Sequence, residues 1–260
     1  MNDLNVLKSL RKDILLAAYK AGEGHVPSAF SILELIFGFY KQLHSDQQSL
    51  AGKDTKDKFV LSKGHGALAL YAVLAEFDYF SKDWVDNFAQ ENSLFGGHPD
   101  WLKVPGVEAS TGSLGHGIGI AAGMAYAQKI KGNNSKIFCL IGDGELNEGT
   151  VWETCLVANH HKLSNFIVLV DQNHSSDRAI KTEPLQDKFR SFGFLTKAIN
   201  GNNFEEVKAI YADKSEYESP RAIIAETIKG FGIKEMENNP EWHHKTPDTK
   251  TFELFMDQLT

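Results

Sequence analysis

The sequence has few features that would tie it to a membrane, to nucleic acid or to an oxidising compartment. No apolar run approaches the roughly 20 residues of a spanning helix. Residues 1–13 are polar and lack an apolar core of signal-peptide type, so no leader and no membrane segment are expected. Basic residues are in the minority, 27 Lys and Arg against 34 Asp and Glu, and a net charge of −7 leaves no footprint for nucleic acid. Only two cysteines occur, Cys139 and Cys155. In a predicted strand and the helix after it, they read as buried, reduced thiols of a cytoplasmic protein. The absence of a His-x3-His or Cys-x2-Cys pair argues against zinc. No repeat, low-complexity tract or linker divides the chain, so one domain over residues 1–260 is expected. The rest is the composition of an ordinary soluble α/β protein, 42% apolar and 23% charged, long enough for a substantial core.

Residues 136–141 and 165–170 are short apolar runs that read as buried strands. The first runs into Gly142-Asp143-Gly144-Glu145-Leu146-Asn147-Glu148-Gly149 and the second into Asp171-Gln172-Asn173, with a helix predicted over 150–161 between them. In an open parallel sheet such a βαβ unit brings both turns to the carboxyl ends of neighbouring strands, where ligands bind. Gly142 and Gly144 let the backbone approach a bulky anion, and Asp143 supplies a carboxylate. Asn173 adds an amide oxygen. With a nearby backbone carbonyl, this is a partial shell for Mg2+ that takes its other oxygens from a phosphate ligand and water.

The remaining pattern alternates helices and strands. Asp3–Ala21 reads as an amphipathic helix stopped by Gly22. Ser31 to Glu34 reads as a capping box that opens a helix to residue 43. A strand is expected over 58–62 and a helix over Ala67–Glu76, with Ser81 capping a short helix to residue 90. Residues 91–113 form a Gly- and Pro-rich stretch that reads as an active-site loop. The helix over 118–130 is nearly all small and apolar, so it should be buried, and its Gly-rich start can offer free N–H groups. Further on, helices over 185–192 and 203–213, strands over 194–199 and 222–228, a loop over 229–248 and a closing helix from 251 complete the chain. His25, His65, His98 and His243 each sit in a Gly- or Pro-bearing loop. Singly they carry no weight. Together they point to one cleft, where imidazoles suit hydroxyl-rich, phosphorylated substrates.

Gly24-His25, Leu61-Ser62-Lys63-Gly64-His65, Gly97-His98-Pro99, Ser110-Thr111-Gly112-Ser113-Leu114-Gly115, the Gly142 to Gly149 turn and Asp171-Gln172-Asn173 together resemble the amino-terminal, diphosphate-binding domain of transketolase. The likeness covers nearly the full length. Asn238-Asn239-Pro240-Glu241-Trp242-His243 points to the split, two-subunit form. The resemblance implies the thiamine-diphosphate-binding fold, a mostly parallel sheet with helices on both faces. It implies thiamine diphosphate and Mg2+ (Ca2+ or Mn2+ able to stand in), the metal held by Asp143, Asn173 and the carbonyl of Ser175. His65, Gly142, Gly144, Glu145 and His243 would line the diphosphate, and Gly112, Ser113 and Leu114 the aminopyrimidine. His25, His98 and His243 would face the sugar, and Glu148, counted with them as catalytic, would sit in the acidic contact between subunits. The implied reaction moves a two-carbon ketol unit from a ketose, free or phosphorylated, to an aldose.

Several positions depart from the family pattern. Val26-Pro27-Ser28 follows His25 where Pro-Gly-Gly is usual, His116 stands for a frequent glutamine, and His244 for a glycine. The loop Asn173-His174-Ser175-Ser176-Asp177-Arg178 is polar where apolar residues are usual, and Gly201-Asn202-Asn203 replaces Asp-Gly-His. These changes bear on the sugar and not on the metal. The competing readings are a deoxyxylulose-phosphate-synthase-like enzyme and a non-catalytic binding protein derived from this domain. No pyrimidine-binding domain follows in the sequence, so an α2β2 assembly with a separate carboxy-terminal subunit is expected. The apolar helices over 115–127 and 149–158 would form part of the interface.

Overall fold

The computed structural model describes residues 2–46 and 55–260. Five strands form one sheet: β1 (Lys58–Leu61), β2 (Ile137–Gly142), β3 (Phe166–Gln172), β4 (Leu195–Asn200) and β5 (Arg221–Glu226). Their order is β1-β2-β3-β5-β4, and every neighbouring pair is parallel. Both apolar runs of the βαβ unit are buried along their whole length because the sheet is covered on both faces. Alternation decides which side chain goes where. Phe138 and Leu140 of β2, with Ile167 and Leu169 of β3, point into one core. Ile137, Cys139 and Ile141, with Phe166, Val168 and Val170, point into the other.

The first core is closed by α1 (Asp3–Ala21), α2 (Val26–Phe30), α3 (Leu33–Ser45), α4 (Ala67–Glu76), α5 (Trp84–Asn87), α9 (Phe204–Tyr211) and α10 (Thr249–Gln258). The second is closed by α6 (Gly117–Ile130), α7 (Gly149–His160) and α8 (Leu185–Ser191). α1 is as its pattern reads: Asn2 caps it through Asn5 N at 2.9 Å, Leu7, Leu10, Ile14 and Leu15 are buried, and Gly22 ends it in the left-handed region. None of the helices among the described residues is long and apolar enough to cross a membrane.

Two expectations change. Ser31 and Glu34 do not form a capping box: Ile32 holds the N-cap position of α3 and no side chain caps it. Both residues are drawn into longer-range pairs instead. Ser31 Oγ donates to Asp171 Oδ2 at 3.0 Å, and Glu34 Oε1 accepts from Arg11 Nη2 at 2.6 Å in a buried ion pair. The second change is on α6, which buries only one face. Ile130 of α6 and Leu156 and Val157 of α7 are 68%, 59% and 52% exposed, beside a groove of about 480 Å3 between the two helices.

Candidate active site

Parallel strands carry their carboxyl ends to one edge, and the register Gly142↔Asp171 puts the two turns side by side there. Asp171 is fully buried at the centre. Its Oδ2 accepts from Lys63 Nζ, from Ser31 Oγ and from Asn173 Nδ2 at 2.8 Å, and its Oδ1 accepts from Thr227 Oγ1. Lys63, on the turn after β1, also approaches the Ser28 carbonyl at 3.5 Å. One carboxylate thus ties the ends of β1, β3 and β5 to the turn before α3. Because Asn173 spends its amide NH2 on Asp171, its Oδ1 faces the other way, where Ser175 N donates to it at 3.1 Å.

Asp143 and Ser175 meet at the same place, Ser175 Oγ lying 3.5 Å from Asp143 Oδ1, which also accepts from Gly144 N at 2.8 Å. Asp143 Oδ2 is buried and has no partner. Burial, and then the neighbouring Asp171, push the Asp143 carboxyl above its ordinary value. An orphaned buried oxygen on a carboxylate short of counter-charge fits a cation, and the oxygen donor set of Asp143, Asn173 and Ser175 is that of a hard divalent ion. Neither Gly142 nor Gly144 needs a positive φ. A Cβ on Gly144 would meet nothing nearer than Ser176 Cβ at 4.0 Å, so the turn stays open to a close-approaching ligand.

The imidazoles gather as the loops foretold. The His25 ring lies 5.5 Å from His65, 5.2 Å from His243 and 4.5 Å from His244, centroid to centroid. Burial, helped by His244 and His243, lowers His25 to about 4, and burial with Lys63 lowers His65 to about 2. Both are therefore neutral near pH 7, able to donate and to accept. Lys229, on the segment after β5, is buried with its Nζ 2.9 Å from His243 Nδ1; burial, with Lys63 next, lowers it to about 8. A cavity of about 490 Å3 joins the two groups, bounded by Asn173, Ser175 and Ser176 on one side and Lys229, Asn239 and His243 on the other.

His98 lies against Gly112, its ring 3.1 Å from where a Cβ there would stand. The 110–116 stretch is fastened by Thr111 Oγ1 to the Leu61 carbonyl at 2.6 Å and by Gly115 N to Glu145 Oε1 at 2.9 Å. The structure thus brings Gly112, Ser113 and Leu114 beside the turn after β1. Glu145 has a different setting from the one its motif suggests. Its buried carboxylate also accepts from Ser62 Oγ at 2.6 Å and Gly142 N at 2.9 Å, so it braces three loops and presents no free oxygen to a ligand. Glu148 is exposed at the start of α7, with its stem beside Gly115.

Lys63, Asp171, Thr227, Lys229 and His244 were given no role by sequence reasoning. An aspartate closing an otherwise apolar strand was the available signal for Asp171; Lys229 and His244 had none, since only the return of the 229–244 segment places them.

The comparisons agree with this geometry. Residues 3–251 match the family model described as transketolase, thiamine diphosphate binding domain. One of the two subunits of an apulose-4-phosphate transketolase, from Actinobacillus succinogenes, is 37% identical over 96% of this chain and 92% of its own length. A 6-deoxy-6-sulfo-D-fructose transketolase subunit of Clostridium sp. is 35% identical over 90% of this chain and 88% of its own. The solved transketolase of Campylobacter jejuni superposes with a TM-score of 0.82 at 28% identity, over 100% of this chain and 43% of that one. The chain belongs to the transketolase family, as the thiamine-diphosphate-binding, amino-terminal part of an enzyme of the split, two-chain kind.

Proposed function

We propose that this chain holds the diphosphate end of thiamine diphosphate through Mg2+ and works with a separate carboxy-terminal, pyrimidine-binding subunit in an α2β2 assembly. Together they transfer a two-carbon ketol unit between sugars with an anionic end. The observation that carries the reading is the unpartnered, buried Asp143 Oδ2 beside Asn173 and Ser175, at the wall of a cavity that Lys229 and His243 also line. The relatives are named as subunits, one for a sugar phosphate and one for a sulfo-sugar, which supports both the partner and the anionic substrate.

Thiamine diphosphate, when bound, supplies the carbon nucleophile and the electron sink for breaking a carbon–carbon bond. The chain's own residues do the rest. Asp143, Asn173 and the Ser175 carbonyl hold the metal, while Lys229 and His65 stand at the diphosphate. Gly112, Ser113 and Leu114 lie along the aminopyrimidine. His25 and His243, with His98, face the sugar hydroxyls, the neutral His25 ring being able to take or give a proton. Glu148 belongs to the acidic contact with the partner. The half-open groove between α6 and α7 supports an interface between subunits there, and the unpaired, buried Cys139 and Cys155 suit a reducing, cytoplasmic setting.

Asp143→Ala is the test. Calorimetry should show loss of Mg2+-dependent thiamine diphosphate binding, because the metal loses its only charged protein ligand. An unchanged affinity refutes the assignment.

A further inference from the structure

The wall of the cavity that begins at Asn173 continues to Arg178, whose side chain lines it together with Lys229 and His243. No aspartate or glutamate among the described residues lines that cavity. The acid adjacent to Arg178, Asp177, is turned to His174, with Oδ2 3.1 Å from Nδ1, while Glu226 takes the other ring nitrogen at 3.1 Å. Arg178 has no carboxylate partner among the described residues. The segment that carries it is held in consecutive turns: Asp177 N donates to the His174 carbonyl at 3.3 Å, and Ala179 N to the Ser176 carbonyl at 2.9 Å. Ser176 comes within 4.0 Å of where a Cβ on Gly144 would stand, and its hydroxyl, like Asp143 Oδ2, is buried without a partner. An uncompensated guanidinium therefore borders a cavity that holds a second cation and an orphaned hydroxyl donor.

We propose that Arg178 is an anion-binding residue of this site, grasping the oxygens of a phosphoryl or sulfonyl group across the cavity from Lys229. A guanidinium fork matches two such oxygens at once, which the point charge of a lysine does not. Two ligands bring that chemistry to this place, the diphosphate of the cofactor and the anionic end of the sugar. The inference rests on the functional reading above and adds to it the residue that selects for the anion.

The test compares wild type with R178Q and R178K, all confirmed as folded by thermal melting. Thiamine diphosphate with Mg2+ is titrated calorimetrically into each chain. Each is then combined with the partner subunit, and the complex is assayed on xylulose 5-phosphate and on unphosphorylated xylulose. If the anion is the cofactor's, R178Q weakens thiamine diphosphate binding by roughly 10- to 100-fold, the worth of one charge-assisted contact, and R178K recovers part of it. If it is the sugar's, cofactor affinity is unchanged and KM rises by that factor for the phosphorylated sugar alone. Unchanged cofactor affinity together with an unchanged KM ratio overturns the inference while leaving the functional reading intact. So does an R178Q chain whose one defect is weaker association with the partner subunit. A wild-type protein that neither binds thiamine diphosphate nor transfers a ketol unit overturns both.

Discussion

Asp171→Asn removes one charge from the centre of the site and almost no volume. In the native chain the Asp171 carboxylate is fully buried and faces Lys63, itself buried, in an ion pair that three further donors complete: Ser31, Asn173 and Thr227. The substitution leaves the Lys63 ammonium in the same place without a counter-charge. Removing one partner of a buried pair costs about 3–5 kcal/mol, far more than the net worth of the pair itself. At roughly 2 °C per kcal/mol for a chain of this size, the melting temperature should fall by about 6–10 °C. Urea unfolding should show a lower midpoint at unchanged slope, since the surface exposed on unfolding is the same. Lys63→Met supplies the control. Added to Asp171→Asn it should restore part of the loss, so the double-variant cost lies well below the sum of the single ones. Asn173 loses its charged acceptor as well, so affinity for Mg2+ and thiamine diphosphate should fall in Asp171→Asn. A loss of stability under about 1 kcal/mol, or strict additivity of the two substitutions, refutes the buried pair as the source of the cost.

The histidine cluster gives the ligand-free chain an acid limit. His25 is lowered to about 4 and His65 to about 2, so between those values and the ordinary 6.5 the unfolded chain binds more protons than the folded one. Stability from these rings is therefore full above about 6.5 and declines as the pH falls toward 4; a urea midpoint flat across that window, or raised in it, contradicts the arrangement. His25→Ala and His98→Ala should keep cofactor affinity and lose turnover, and calorimetry showing lost cofactor binding with KM unaffected would reassign them. The chain by itself should bind thiamine diphosphate weakly and transfer no ketol unit, with both restored on mixing with the partner subunit; full activity from this polypeptide alone would end the two-chain reading.

Much of the architecture was legible because local patterns carried it. The runs that became β2 and β3 are continuous and apolar, since helices cover both faces of the sheet, and their ends fell within a residue or two of the expectation. α1, with Gly22 as its left-handed stop, and α4 over Ala67–Glu76 follow their patterns to the residue. The metal trio was legible too, because Gly-Asp-Gly and Asp-Gln-Asn each close a strand, and neighbouring parallel strands must deliver their turns to the same edge.

Other features had no local trace. Ser31 looks like a helix cap, yet its hydroxyl is taken by a carboxylate 140 positions away, a partner invisible to a four-residue motif. Lys63 and Asp171 are 108 positions apart, and only the crossovers bring them together. Glu145 stands in a turn that looks built for a ligand, but the folded chain surrounds it with donors from three segments and turns it into a brace. Sequence by itself determined the strands, most of the helices and the edge at which the site lies, because periodicity and turn chemistry act over a few residues. Tertiary structure alone decided which polar groups are occupied and which, like Asp143 Oδ2, remain free for a ligand, because buried donors and acceptors pair with whatever the crossovers bring within reach.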